Sequence, residues 1–199
     1  MKNRTILIFS VLTLLFFVGC DKDETRVADF LVEFATVVKT VPTIAIELDN
    51  GKVLNAENIL DVDLEDGNRV IVNYTPIETS SIKINSIQPI FLGEIKYKES
   101  PNEIKTEPIK IISVWVSGRY LNMSIQVDYH SKTHSVGLFR DLQSDKPTLY
   151  FMYSREDDPA GAPTRRYLSF DLESLKKEED FIIYINTYEG ERKFNFRIN

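Results

Sequence analysis

Between residues 121 and 129 the chain alternates strictly: Leu121, Met123, Ile125, Val127 and Tyr129 are apolar, while Asn122, Ser124, Gln126 and Asp128 are polar. A period of two sends the two sets to opposite faces of an extended chain, whereas a helix would scatter them around its circumference. The same alternation runs through Phe194, Phe196 and Ile198, and Ile82 and Ile84 flank Lys83 in the same way. Further β-rich runs cover residues 30–38, 43–48, 69–74, 109–116, 135–140, 148–153, 166–172 and 181–187. Turn formers punctuate them: Asp49-Asn50-Gly51, Asp66-Gly67-Asn68, Gly118 and Glu189-Gly190. Many short strands at this spacing define an all-β chain built as barrels or sandwiches.

Only residues 173–180 carry a helical pattern, long enough for a connection but not for a layer of the fold. The segment 98–108, Lys-Glu-Ser-Pro-Asn-Glu-Ile-Lys-Thr-Glu-Pro, interrupts the strands with two prolines and six charged or amide side chains. It is the expected linker, 99–108, between a first β domain at 29–98 and a second at 109–199. Each half is small for a core without disulfides, so the two are expected to lean on each other.

The N-terminus is of a different kind. Lys2 and Arg4 precede thirteen uncharged residues, Ile6 to Val18, and Phe17-Val18-Gly19-Cys20 follows. Basic start, short apolar run and small residue are the layout of an export signal at 1–19. Thirteen residues fall short of the ~20 that a bilayer-spanning helix needs. Gly19-Cys20 resembles the lipobox read by the lipoprotein-processing peptidase, with Phe17 where leucine is usual. Cys20 is the only cysteine in the chain, so no intrachain disulfide competes for it. It is the expected lipidation site, and two or more acyl chains would hold the mature chain on a membrane of the cell envelope. A free cysteine after an ordinary signal and an uncleaved N-terminal anchor are the alternatives. Residues 20–28 then form a lipid-anchored, charged linker. Lys22-Asp23-Glu24 resembles the export signal of some surface lipoproteins, which leaves the periplasmic face and the cell surface both open for an outer-membrane lipoprotein.

The signal holds two of the 24 basic residues and none of the 30 acidic ones, so a chain beginning at Cys20 carries 22 against 30, a net charge of −8. Phosphate backbones would be repelled, and no basic block is interleaved with aromatics, so nucleic acid is not an expected partner. The expected contacts are the membrane, through acyl chains on Cys20, and an envelope protein or glycan.

In the second half, Trp115, Arg119-Tyr120-Leu121-Asn122-Met123, His134 ahead of Leu138, Leu149-Tyr150-Phe151 and Tyr167-Leu168-Ser169-Phe170-Asp171-Leu172 resemble the NigD-like lipoproteins of Bacteroidetes. The resemblance implies an N-terminal OB-like small barrel followed by a C-terminal immunoglobulin-like β-sandwich. That family takes its name from an association with bacteriocin genes and brings no established catalytic residues to transfer.

Four constellations bear on chemistry. His130 and His134 stand four apart, a metal-binding spacing on a helix, but here they bridge two expected strands with no carboxylate or cysteine beside them to complete a ligand set. Asp61, Asp63, Glu65 and Asp66 precede Gly67, yet a calcium loop needs Gly at its sixth and Glu at its twelfth position, where this chain has Asp66 and Val72. Val62 and Leu64 between the acids suggest a short strand with an acidic outer face instead. Residues 155–163, Arg-Glu-Asp-Asp-Pro-Ala-Gly-Ala-Pro, form a long connection of the kind that either carries function or is a solvated turn. Trp115, Tyr120, Tyr150 and Tyr153 suit sheet cores first and a sugar-stacking face second. The chain has no Gly-x-Ser-x-Gly elbow, no phosphate-cradling glycine loop and no His-Glu-x-x-His. No catalytic residue, cofactor or metal ligand is therefore expected. A non-enzymatic binding or interaction module leads, ahead of a hydrolase using paired carboxylates on an envelope glycan and an accessory or immunity factor of a bacteriocin system.

Overall fold

The computed structural model describes residues 30–198. The signal 1–19, Cys20 and the linker 20–28 lie outside the described residues.

The first five strands are β1 (Leu31–Lys39), β2 (Ala45–Leu48), β3 (Val53–Ala56), β4 (Arg69–Pro76) and β5 (Ser81–Pro89). They close into a barrel in the order β1-β2-β3-β5-β4, with β1 returning onto β4. All pairs are antiparallel except β3 with β5. This is the five-stranded OB arrangement, and closure removes the exposed edges that such short strands would otherwise present. Alternate residues fill its interior, among them Val37, Ile46, Val70, Val72, Ile82 and Ile84. The acidic segment 61–66 is not a strand. It is a loop in which Leu64, with Leu60 just before it, packs against the barrel core, while Val62 and the acids face water.

The remaining strands are β6 (Phe91–Lys98), β7 (Lys110–Ser117), β8 (Tyr120–Tyr129), β9 (Ser135–Asp141), β10 (Thr148–Ser154), β11 (Ala162–Asp171), β12 (Asp180–Thr187) and β13 (Gly190–Arg197). They form one continuous sheet, β13-β12-β10-β9-β6-β11-β8-β7, folded over into a sandwich. The crease is β6: Phe91–Glu94 pair with β11 and Ile95–Lys98 pair with β9, so one strand belongs to both layers. Leu121, Met123, Ile125, Leu138, Phe151, Phe170, Ile183 and Ile185 meet between the layers. The sandwich carries three parallel pairs, β6–β9, β6–β11 and β10–β12, alongside its antiparallel ones, and so differs in connection from an immunoglobulin domain's purely antiparallel sheets.

Three local expectations are corrected. The change of sheet falls between β5 and β6, at Ile90, rather than within 99–108, because β6 is the central strand of the second sheet. Residues 99–108 are not a free linker: Pro101–Glu103 form a 3-10 turn, Thr106 Oγ1 accepts from Tyr153 N–H, and Asn186 Nδ2 donates to Thr106 O. Residues 173–179 are turns, not a helix. A short stretch cannot offset helix nucleation by itself, and here Leu172 and Leu175 are drawn into the sandwich core while Glu178 takes a left-handed φ of 60°. No helix among the described residues is long and apolar enough to cross a membrane.

The two domains are joined through a face that alternation had marked as polar. Asn122 and Ser124, on the outer stripe of β8, are buried rather than solvated, as is Ser169 beside them on β11. Barrel residues cover two of them, Arg69 reaching Asn122 and Ser169, while the Ser124 hydroxyl is buried without a partner among the described residues. Phe34 of β1 packs on Trp115 and Tyr167 at ring-centroid distances of 5.2 and 5.8 Å.

Candidate functional site

At the centre of this interface lies Arg69, the first residue of β4, which is 1% exposed. Its Nη1 is 2.6 Å from Asp49 Oδ1, and Nε and Nη2 donate to Ser169 Oγ (3.1 Å) and Asn122 Oδ1 (3.2 Å). Asn122 Nδ2 donates in turn to Asp49 Oδ2 at 3.1 Å, and Ser169 Oγ donates to Asn122 Oδ1 at 2.6 Å. The guanidinium sits 3.9 Å from the centre of the Tyr120 ring. A buried charge is tolerated only when paired and hydrogen-bonded, and here the barrel contributes Arg69 and Asp49 while the sandwich contributes the polar rim and the aromatic face. Gly118 lets the domains come this close. Its φ is +55°, and a Cβ there would stand 2.4 Å from Asp49 O.

Beside this network opens a groove of about 610 Å³. The barrel lends Thr36, Glu47 and Asp49, and the sandwich lends Arg119, Glu173 and Lys177. Arg119, 54% exposed, bridges Asp171 at 2.8 Å and Glu173 at 3.5 Å. Hydrogen bonding with Tyr120 raises its pKa further, against the lowering effect of burial, so it stays charged.

The loops at the other end of β8 hold a second buried carboxylate. Asp158 Oδ2 accepts from His130 N–H at 2.9 Å, and Oδ1 accepts from Ser131 N–H and Lys132 N–H at 3.0 Å each. His134 Nε2 lies 3.0 Å from Oδ2, and Tyr153 Oη lies 2.8 Å from His134 Nδ1. With Tyr153 donating to Nδ1, Nε2 carries the proton toward Asp158. Burial opposes charge on Asp158, but the His130 N–H, the His134 side chain and the other two N–H groups outweigh it and hold the carboxyl well below its usual range. Burial pushes the Tyr153 hydroxyl up to about 12, with Glu107 adding to the effect. Gly161 completes the join, since a Cβ there would meet Tyr129 O at 2.1 Å.

The residues singled out in the sequence therefore separate. His130 and His134 share a loop but not a ligand set: the His130 ring faces Ser131 Oγ, and both ring nitrogens of His134 are already engaged. Among the described residues no group of three or more His, Cys, Asp or Glu is placed to hold a metal. Trp115 and Tyr120 lie at the domain interface, Tyr153 in the Asp158 loops, and Tyr150 stacks on Tyr184 at 5.1 Å. Within 155–163, Asp158 staples one loop to the other, and β11 already begins at Ala162. Arg69 and Asp49 were not singled out. The visible signal was a charged residue opening a strand after the Asp66-Gly67-Asn68 turn.

A five-stranded OB-type barrel packed through a buried arginine onto a folded eight-stranded sandwich defines the class: a two-domain all-β protein with a groove at its seam. The model of the NigD-like C-terminal beta sandwich domain matches residues 93–198, and the chain belongs to the NigD-like family. Its sandwich begins inside β6, in accord with the sheet boundary. Solved structures of similar form include a candidate toxin-related protein from Parabacteroides distasonis, at 26% identity and a TM-score of 0.73 over 86% of this chain and 94% of that one. A NigD-like immunity protein from Bacteroides caccae aligns at 21% identity and a TM-score of 0.65, over 85% of this chain and 97% of that one. A candidate lipoprotein from Bacteroides fragilis aligns at 14% identity and a TM-score of 0.66, over 86% and 98%. Among curated proteins none matches this chain.

Proposed function

We propose that this protein is a non-enzymatic binding module of the cell envelope, anchored by acyl chains on Cys20 to the outer membrane, which takes an envelope protein or glycan in the groove between its domains. The observation that carries the reading is the groove itself, whose walls from both domains are fixed by the Arg69 network. A preformed concave surface between two rigid domains loses little entropy on binding. Its lining alternates basic Arg119 and Lys177 with acidic Glu47 and Glu173, which suits a polar partner with charges of both signs. The description of the Bacteroides fragilis relative as a candidate lipoprotein supports the anchor.

Two of the acids that a glycan hydrolase would need are engaged: Asp49 by Arg69 and Glu173 by Arg119. A hydrolase of that kind needs one carboxyl free to donate a proton and another free to attack or to activate water. Binding is the better-supported use of the groove. Immobilised residues 20–199, offered solubilised envelope proteins and glycans, are expected to retain a partner that a double Arg119→Glu, Lys177→Glu variant releases. A blank with both kinds of extract overturns the proposal. Radiolabelled palmitate is expected to enter the wild type and not Cys20→Ser, and equal labelling would remove the anchor.

The NigD-like immunity protein from Bacteroides caccae supports a second reading, in which the bound partner belongs to a bacteriocin system. Deleting the gene should then sensitise cells to that bacteriocin, and unchanged killing would discard it.

A further inference from the structure

The inner face of β11 holds Phe170 and Leu168, both buried, and two residues further along the same face comes Arg166. The register confirms the placement: Phe170 lies opposite Leu121, Leu168 opposite Met123, and Arg166 opposite Ile125, which is 1% exposed. A guanidinium therefore stands where alternation calls for a core side chain. Such a break in the pattern, without an ionic partner, is where a functional residue is expected. None of the ion pairs among the described residues includes Arg166. It stacks over Tyr129 at 4.2 Å instead, at the open end of the sandwich.

That end is hollow. A pocket of about 260 Å³ lies between the layers, with Ile125, Val127, Val136 and Leu168 as apolar walls and Tyr129, Thr133, His134 and Tyr153 as polar groups. Arg166 is the only Lys, Arg, Asp or Glu in the lining. His134 already uses both ring nitrogens, on Asp158 and Tyr153, so the arginine is the charged group with donors to spare, beside the neutral hydroxyls of Thr133 and Tyr129. The loops around this end are held by the Asp158 staple, which keeps the pocket open before anything enters. The size is just under the ~300–1,000 Å³ of drug-sized sites, so the occupant must be small.

We infer that this pocket binds small carboxylates with an apolar body, the body lying between the sheets and the carboxylate on the Arg166 guanidinium. An arginine presents paired N–H donors matched to a carboxylate, and the adjoining walls hold no carboxylate to pair with an amine. The site is separate from the groove at the domain seam and does not rest on the reading given to that groove.

The test uses residues 20–199, which contain every strand described, with octanoate, octanol and octylamine as probes of one chain length and three charges. Methyl resonances of Ile125, Val127, Val136 and Leu168 are expected to move on adding octanoate, with affinity about tenfold or more above that for octanol, as a charge-assisted contact implies. In Arg166→Gln, an exposed change that leaves the core intact, octanoate is expected to fall to the affinity of octanol. Unmoved methyls in the wild type, equal affinity for octanoate and octylamine, or undiminished octanoate binding by Arg166→Gln would each overturn the inference.

Discussion

Asp49, at the seam between barrel and sandwich, meets the full positive charge of Arg69, whereas Asp158, in the loops at the far end of β8, meets three backbone N–H groups and an imidazole. Both are buried carboxylates, but they solve the cost of leaving water differently. Asp158 is satisfied by donors that come with the chain, from residues 130–134 of the same domain. Asp49 and Arg69 belong to the barrel; Arg69 also donates to Thr36 of β1 at 3.3 Å, and the other hydrogen bonds come from Asn122 and Ser169 of the second domain. The first arrangement stabilises a loop; the second makes each domain the solvent of the other.

This contrast can be broken most forcefully at Arg69. Replacing it by alanine leaves Asp49 buried without its counter-charge, and the loss is expected to be about 3–5 kcal/mol in urea unfolding. A double Arg69→Met, Asp49→Leu variant should recover much of that, because the uncompensated charge is then gone. Failure to recover would mean that the network contributes by shape rather than by charge.

Acid should reach the second carboxylate. With the Asp158 carboxyl held below its ordinary 3.8, the folded form binds that proton less readily than the unfolded form. Its stabilisation is complete above that value and drains away as pH falls beneath it. Asp158→Asn is therefore expected to lie below the wild type in urea midpoint at neutral pH, with the gap narrowing between pH 4 and 2. A constant gap would sever the link between charge and loop.

At the same loops, Tyr153→Phe removes the donor to His134 Nδ1 and should cost about 0.5–1.5 kcal/mol. The Tyr153 hydroxyl, raised from 10.0 to about 12 by burial, keeps its proton longer when folded. Its stabilisation holds below pH 10 and is lost as pH climbs toward 12, and the ultraviolet phenolate titration of the variant should lose one step near 12. The smallest effect is expected at Arg119→Ala. Its ion pairs with Asp171 and Glu173 are on the surface, so stability should change by about 0–1 kcal/mol.

How far these regions were legible differs for physical reasons. Alternation exposed the strands because a pleated chain with one buried face must alternate, and the runs at 121–129, 148–153 and 181–187 all lie in strands. It could not say which strand pairs with which, so β6 looked like the end of the first domain when it is the middle of the second. Nor could it foresee that Asn122 and Ser124 would be covered, because polarity marks a face as affordable in water, not as solvated. The 173–180 pattern misled because Leu172 and Leu175 gain more from the sandwich core than eight residues gain from a helix. The histidine pair was visible but its use was not: spacing of four is informative on a helix, and these residues sit on a loop clamped by Asp158, twenty-four residues from His134. The family resemblance carried the arrangement of the domains, and the match to residues 93–198 agrees with it.

The crease strand also orders events in time. The barrel spans residues 31–89 and finds every strand partner within that stretch, so its sheet can close while the rest of the polypeptide is still leaving a ribosome. β6 cannot. One of its neighbours, β9, begins at residue 135 and the other, β11, ends at residue 171, so the middle of the larger sheet must wait for nearly the whole chain. Pairings of such long sequence separation form slowly.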